Sequence, residues 1–336
     1  MTMNKNCSII NAERTVMFMT QKELAELCGC TQATVSKALR GVTTISADVR
    51  EKILHAAAKH GMIHSCRKEP TGNTVLVITD EYRSEYYANI LSFLCRSLWE
   101  HGFDVLSTTY EYDRPMIQRL PRLIRSIHGL CGIINLTSIK FEIFDTLKQT
   151  GIPTIKYTES DQFDSVSVSR YDGFRKAIMH LMEKGRSRIA FAGEMNTQRK
   201  EFAFRQVMAE LGIPTDNRYI YRSALRFAQA GADGFEKLMV LDEPPDAIIC
   251  AYDYIAFGLL NAAFAAGIDV PHDLAVIGMD NITATGNYRM GLTTLSLDYN
   301  KLGDTMVELL IRRIRKPDAP VQHIMMEYEL VVRETG

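Results

Sequence analysis

Five short apolar runs constrain this chain more than any other feature: TVLVIT (74–79), CGIIN (131–135), RIAFAG (188–193), DAIIC (246–250) and AVIGM (275–279). None alternates apolar with polar residues, so each reads as a strand buried on both faces. Helical stretches such as 85–100, 171–184, 200–211 and 253–266 separate them. Strand, helix and strand in that order imply parallel sheets covered on both sides, a doubly wound α/β arrangement. The roughly 260 residues from Thr74 onward leave room for two such sheets.

The residues before Thr74 follow another rhythm. Residues 1–18 are aperiodic and read as a flexible leader. Thr20-Gln21-Lys22-Glu23 is a capping-box signature, in which a hydroxyl and a carboxylate satisfy orphan amides at a helix start. Leu24, Ala25 and Leu27 supply the inner face of that helix, and Gly29 ends it in a turn. A second helix runs from about Thr31 to Leu39 with Val35, Ala38 and Leu39 inward. After a 41–45 loop, Ser46 caps a third helix that buries Val49, Ile53, Leu54 and Ala57 and stops at Gly61. Helix, glycine turn and helix is the helix-turn-helix arrangement, here a small all-α headpiece over residues 19–63. Residues 64–73, HSCRKEPTGN, are polar, carry Pro70 and Gly72, and read as a linker.

The second headpiece helix has an unusual face: Thr31, Gln32, Ala33 and Thr34, with the first charge at Lys37. A core would want Leu and Ile there, and an ordinary solvated face would carry Glu and Lys. Short polar side chains at the front of a helix reach base edges in the major groove of DNA, where long ones clash. In that reading Gln32 pairs with adenine, Ala33 touches a thymine methyl and Lys37 donates to guanine. Thr20, Thr31, Thr34, Ser36, Arg40 and Thr44 then suit phosphates, with Arg67 and Lys68 of the linker beside them. The alternative is a solvated Thr/Ser-rich helix in some unrelated bundle. Charge favours the first. The chain carries a formal net charge of −1, yet residues 20–68 hold eight Lys/Arg against four Asp/Glu, leaving −5 on the remainder. The basic surplus sits where phosphate neutralisation would need it.

Other classes fare worse. Seven cysteines, an odd number in a long chain, do not form a disulfide framework and point to reduced thiols and a cytoplasmic protein. The longest apolar run near the N-terminus, Val16–Met19, is too short for a secretory segment, and no membrane-length stretch exists. Cys28 and Cys30, with His64 and Cys66, make a weak zinc signal, and buried thiols in a turn account for the first two. No metal and no cofactor are expected. His55, His60 and His64 need only be solvated or phosphate-facing, and Trp99 reads as core. No strand leads into G-x-G-x-x-G, a Walker loop or a G-x-S-x-G elbow, so the chain reads as a non-enzyme. An enzyme on the doubly wound part, or a sensor whose headpiece has lost DNA binding, are the rivals; salt-dependent retention on duplex DNA separates them.

The segment MTQKELAELCGCTQATVSKALRGVTTISADVREKILHAAAKHGM (19–62) resembles the DNA-binding headpiece of the LacI/GalR family of bacterial transcriptional regulators. The headpiece pattern is matched by Thr20, Glu23, Leu24, Ala25, Gly29, Cys30, Thr31, Thr34, Val35, Ser36, Lys37, Ala38 and Leu39. Similar family blocks follow in family order at 172–193, 244–281, 292–303 and 330–333. The resemblance implies a two-lobed, periplasmic-binding-protein-like α/β domain crossed three times by the chain. Its first lobe would span about 74–169 and 297–324, and its second 170–296 and 325–336. It further implies a homodimer on double-stranded operator DNA, more often a repressor, controlled by a sugar-like effector between the lobes, with no membrane. No leucine-heptad tail follows LVVRETG, which favours a dimer over a tetramer.

Carried over by the same resemblance, Asp280 falls at a sugar-hydroxyl-binding position, Tyr252 at a polar pocket position and Tyr299 at one often aromatic and suited to stacking. Thr158 joins them. Asp253 reads as a cap of the helix it opens. Lys200 stands where the family has an effector-clamping Arg, with Arg199 one residue off. Lysine cannot supply the planar bidentate contact, so either the ligand is held differently or Arg199 turns in, unless both are solvated. Clustered Lys200 and Arg226 would suit a carboxylated or phosphorylated sugar. The linker departs as well. Family members form a hinge helix there and wedge a Leu into the minor groove, and this stretch has no such Leu. Weaker bending of DNA is the expectation.

Overall fold

The computed structural model describes residues 20–39, 45–59, 72–109, 114–137, 141–214 and 216–336. They fall into two compact units, one on each side of the Thr71–Gly72 boundary. The 1–18 leader, all but Gly72 and Asn73 of the linker, and Arg40, Thr44, Arg67 and Lys68 lie outside the described residues, as do His60, His64 and Cys66.

The first unit holds three helices, α1 (Gln21–Cys28), α2 (Gln32–Leu39) and α3 (Ala47–Lys59). The capping box forms as the sequence predicts: Glu23 N–H donates to Thr20 Oγ1 at 3.3 Å, and Thr20 N–H donates to Glu23 Oε2 at 2.6 Å. Gly29 ends α1 at φ 69°, in the left-handed region where a side chain is strained. Leu24, Ala25, Cys28, Val35, Ala38, Ile53 and Ala57 make the core. Three expected members stay out of it, Leu54 among them, which is only half-buried. Leu27 is 53% exposed, because Cys28, one turn on from Leu24, completes the buried stripe and leaves Leu27 at its edge. Val49, in the first turn of α3, is 37% exposed at the rim of this small core.

The second unit is built on two six-stranded sheets. The first lobe contains β1 (Thr74–Thr79), β2 (Asp104–Thr109), β3 (Leu130–Asn135), β4 (Thr154–Lys156), β5 (Asp164–Val168) and β11 (His323–Met326), in the order β11-β5-β4-β3-β1-β2. The second contains β6 (Ile189–Glu194), β7 (Ile220–Ser223), β8 (Ala247–Cys250), β9 (Ala275–Met279), β10 (Thr293–Ser296) and β12 (Glu329–Val331), in the order β12-β10-β9-β8-β6-β7. Helices α4 (Glu85–Glu100), α5 (Arg114–Ser126), α6 (Phe141–Thr150), α7 (Arg170–Glu183), α8 (Gln198–Glu210), α9 (Phe227–Met239), α10 (Asp253–Ala265) and α11 (Tyr299–Arg315) connect them. Every pairing is parallel except that of β12 with β10.

That exception departs from the all-parallel expectation and has a geometric cause. Residues following β1, β3 and β4 line the same cavity as the end of β6 and the residues after β8 and β9. The strands of both sheets therefore finish facing one cleft. The chain leaves β11 at that end and, two residues later, enters the second sheet from its finishing edge, so β12 runs against its neighbour. The chain crosses between lobes three times, after β5, after β10 and after β11. The last crossing comes slightly later than 324–325, because Met325 and Met326 still pair with Ser167 and Val168.

Trp99 is a clearer correction. It is 64% exposed, since α4 buries Ile90, Leu94, Ser97 and Leu98 and Trp99 lies one step past that stripe in the last turn. Within the second lobe α9 and α10 touch backbone to backbone. A Cβ on Gly231 would lie 1.9 Å from Ile255 O, and one on Gly258 would lie 1.8 Å from Ala228 O. No helix among the described residues is long and apolar enough to cross a membrane.

Candidate functional site

Two surfaces carry the expected chemistry. On the first unit, α2 buries Val35 and Ala38 and turns Gln32, Ala33 and Lys37 outward, all three exposed. Thr31 caps this helix: Thr34 N–H donates to Thr31 Oγ1 at 3.1 Å, and the two hydroxyls lie 2.8 Å apart. The Thr20 and Thr31 hydroxyls, read as phosphate contacts, thus already serve helix caps. Ser36 is half-buried on the same helix. Cys28 is buried, Cys30 only half-buried, and both are free thiols. Burial, then the neighbouring Cys28, pushes the Cys30 thiol up. No cluster of three potential metal ligands occurs among the described residues.

On the second unit a cavity of about 450 Å³ lies between the lobes. Its wall is made where strands end, the usual place for a ligand in parallel sheets. Asp80 and Glu81 follow β1, Glu194 closes β6, Tyr252 follows β8 and Asp280 follows β9, the last at φ 104°. Arg226, from the loop after β7, spans the opening. Its Nε donates to Glu194 Oε1 at 3.1 Å, and Nη1 and Nη2 donate to the two Glu81 oxygens at 3.1 and 3.4 Å. Burial alone would lower the Arg226 pKa, but the hydrogen bonds and charge of Glu81 and Glu194 outweigh it and hold the guanidinium above the usual arginine range. Glu194 also accepts from the Tyr252 hydroxyl and, at 3.4 Å, from Phe227 N–H. Burial first, and then Glu194, pushes the Tyr252 phenol up.

Lys200 forms a second polar centre. Its Nζ donates to Ala251 O at 2.7 Å, lies 3.8 Å from Asp280 Oδ1 and sits 5.6 Å from the centre of the Tyr252 ring. Burial raises the Asp280 carboxyl to about 6, even against the pull of Lys200. Burial likewise lowers the Lys200 ammonium. The remaining lining includes Tyr86 and Tyr157, whose hydroxyls lie 2.5 Å apart, with Thr158, Arg170, Arg199 and Tyr328.

Thr158, Arg199, Lys200, Arg226, Tyr252 and Asp280 are therefore brought to one cavity. Tyr299 is not in its wall. Its hydroxyl donates to Asp280 O at 2.7 Å and one face of its ring stacks against Phe93, so it ties α11 to the second lobe. Lys200 and Arg226, expected to clamp an acid, are each already matched by a carboxylate. Asp253 does not cap its helix. It is fully buried and accepts from Ile282 N–H at 2.9 Å and Thr294 Oγ1 at 2.6 Å, bracing the loops around Asp280. Glu81, Glu194, Tyr86, Tyr157, Arg170 and Tyr328 escaped the sequence reading. A signal existed for two of them, since Glu81 and Glu194 stand just past or at the end of apolar runs that read as parallel strands.

Residues 19–57 match the helix-turn-helix family and residues 178–335 match the periplasmic binding protein-like domain family. Over 335 residues the chain is 23% identical to the HTH-type transcriptional regulator RegA of Clostridium saccharobutylicum, covering 94% of this chain and 98% of that protein. A helix-turn-helix match followed along the chain by a periplasmic binding protein-like match supports a regulator of the LacI/GalR type. The chain also matches solved structures, at a TM-score of 0.71 for the transcriptional regulator CelR–cellobiose complex, at 23% identity over 95% of this chain and 100% of that one. The lac repressor dimer bound to operator and the anti-inducer ONPF matches at 0.70, at 22% identity over 94% and 98%. The protein is a transcriptional regulator.

Proposed function

We propose that this regulator reads duplex DNA with α2 and is controlled by a sugar-like small molecule held between the two lobes, most simply as a homodimer acting as a repressor. The observation that carries the reading is the Glu81–Arg226–Glu194 bridge: a polar latch from the first lobe to the second, directly over a cavity lined by both. A ligand that touches both walls binds one lobe arrangement better than another, and can shift the equilibrium only by that difference. In a dimer, half-sites lie about 34 Å apart along DNA, so a small change in headpiece spacing abolishes simultaneous contact. The CelR structure holds cellobiose, which supports a carbohydrate as the ligand class.

On α2, Gln32, Ala33 and Lys37 would read bases, with Thr34 and Ser36 toward phosphates. The test uses sites selected by the protein from a random duplex pool. Lys37→Ala should weaken binding to a selected site by about 1–3 kcal/mol and binding to random DNA by much less. Equal losses on both would demote Lys37 to a phosphate contact.

A further inference from the structure

A second cavity, of about 720 Å³, adjoins the first and shares Tyr157, Thr158, Arg170 and Arg199 with it. Its inner wall carries Lys156, the last residue of β4, which is only 4% exposed. The Lys156 ammonium lies 3.5 Å from the centre of the Phe144 ring. Among the described residues no hydrogen bond or ion pair reaches the side chains of Lys156, Arg170 or Arg199. The acids in this wall, Asp145, Glu159 and Asp161, are exposed and none comes within 4.0 Å of the three cations. Every acid with a charged partner in the inner cavity is spoken for by Lys200 or Arg226.

Three cations thus converge on one junction with no carboxylate close enough to pair with them. A buried ammonium left without an anion or acceptor is costly, and an aromatic face offsets only part of that cost. Arg170 is the first residue of α7 and Arg199 the second of α8, so two helix starts add partial positive charge. Burial, then Arg199, lowers the Lys156 ammonium to about 8, against a smaller opposing pull from the Asp161 carboxylate. We propose that this junction is an anion subsite, in which Lys156, Arg170 and Arg199 hold the carboxylate or phosphoryl group of an acidic sugar whose ring occupies the interlobe cleft. The proposal rests on the reading of that cleft as the effector site. It moves acid recognition from Lys200 and Arg226, which are already paired, to cations that are not.

The test titrates the full chain with sodium phosphate and, separately, sodium acetate, against chloride at constant ionic strength, following heat and Tm. Saturable binding of at least one of these anions is expected, about tenfold or more weaker in Lys156→Met and weaker also in Arg199→Gln. Preference for phosphate or acetate tells a phosphoryl from a carboxylate group. Absence of saturable binding, or equal affinity in Lys156→Met, overturns the subsite. The cleft reading is tested apart from it, with cellobiose and ribose as neutral probes and Asp280→Asn as the variant. A neutral sugar that binds through Asp280 while neither anion binds leaves the cleft reading standing and removes the subsite. Saturable anion binding that Lys156→Met abolishes, with no neutral sugar bound, supports the subsite.

Discussion

Lys156 shows how a single side chain can report on a site. Its ammonium is held at about 8 against an ordinary 10.5. The folded chain therefore favours the neutral amine more than the unfolded chain does. Ionised Lys156 costs stability in full below pH 8, and that cost fades as pH rises from 8 toward 10.5. Replacing it with Met removes the charge and keeps the volume. Lys156→Met should therefore raise Tm at pH 7, and the gap between variant and parent should narrow as pH rises from 8 toward 10.5. A gap that stays constant across this range would mean that Lys156 is already neutral or already paired. A bound anion would reverse the effect, stabilising the parent alone.

At the scale of elements, the α9–α10 contact is the least forgiving in the second lobe. A methyl group on Gly258 would lie 1.8 Å from Ala228 O, and no flexible side chain is there to give way. Gly258→Ala should cost about 3 kcal/mol or more, read as a drop in Tm, because backbone must shift to admit it. Near-parental stability would show that the helices can part at little cost. The elements themselves were largely legible in the sequence. The unalternating runs became β1, β3, β6, β8 and β9, and the capping box and Gly29 marked α1 at both ends. The other described strands, β2, β4, β5, β7, β10, β11 and β12, were not, since they are short or mix polar with apolar residues and carry too little pattern to separate strand from loop. Trp99 and Leu27 were misplaced for a related reason: apolar residues at the edge of a helical stripe look like core until the stripe's partner is known. Of the cleft, position could be read but pairing could not. Nothing in the order of residues shows that Arg226 meets Glu81, which stands 145 positions away.

For the molecule as a whole, the lobes are joined by polar contacts that a ligand can compete for. Besides the Arg226 bridge, Thr283 N–H in the second lobe donates to Glu85 Oε1 in the first at 2.6 Å. Glu81→Gln removes the charge that holds Arg226 to the first lobe. Faster amide exchange at Phe227 and Thr283 is expected in that variant without ligand, since both amides face carboxylates at the cleft. Unchanged exchange would show that the bridge does not restrain the lobes. The proposed function requires the basic headpiece to reach DNA by charge before it reads sequence. The most direct measurement is binding of the full chain to random-sequence duplex DNA as salt is varied. With several phosphates neutralised by the basic headpiece, log affinity should fall linearly with log salt, with a slope of about −0.9 per phosphate contact. A slope near zero would mean that no phosphates are contacted, and the reading of this chain as a DNA-bound, ligand-controlled switch would fail.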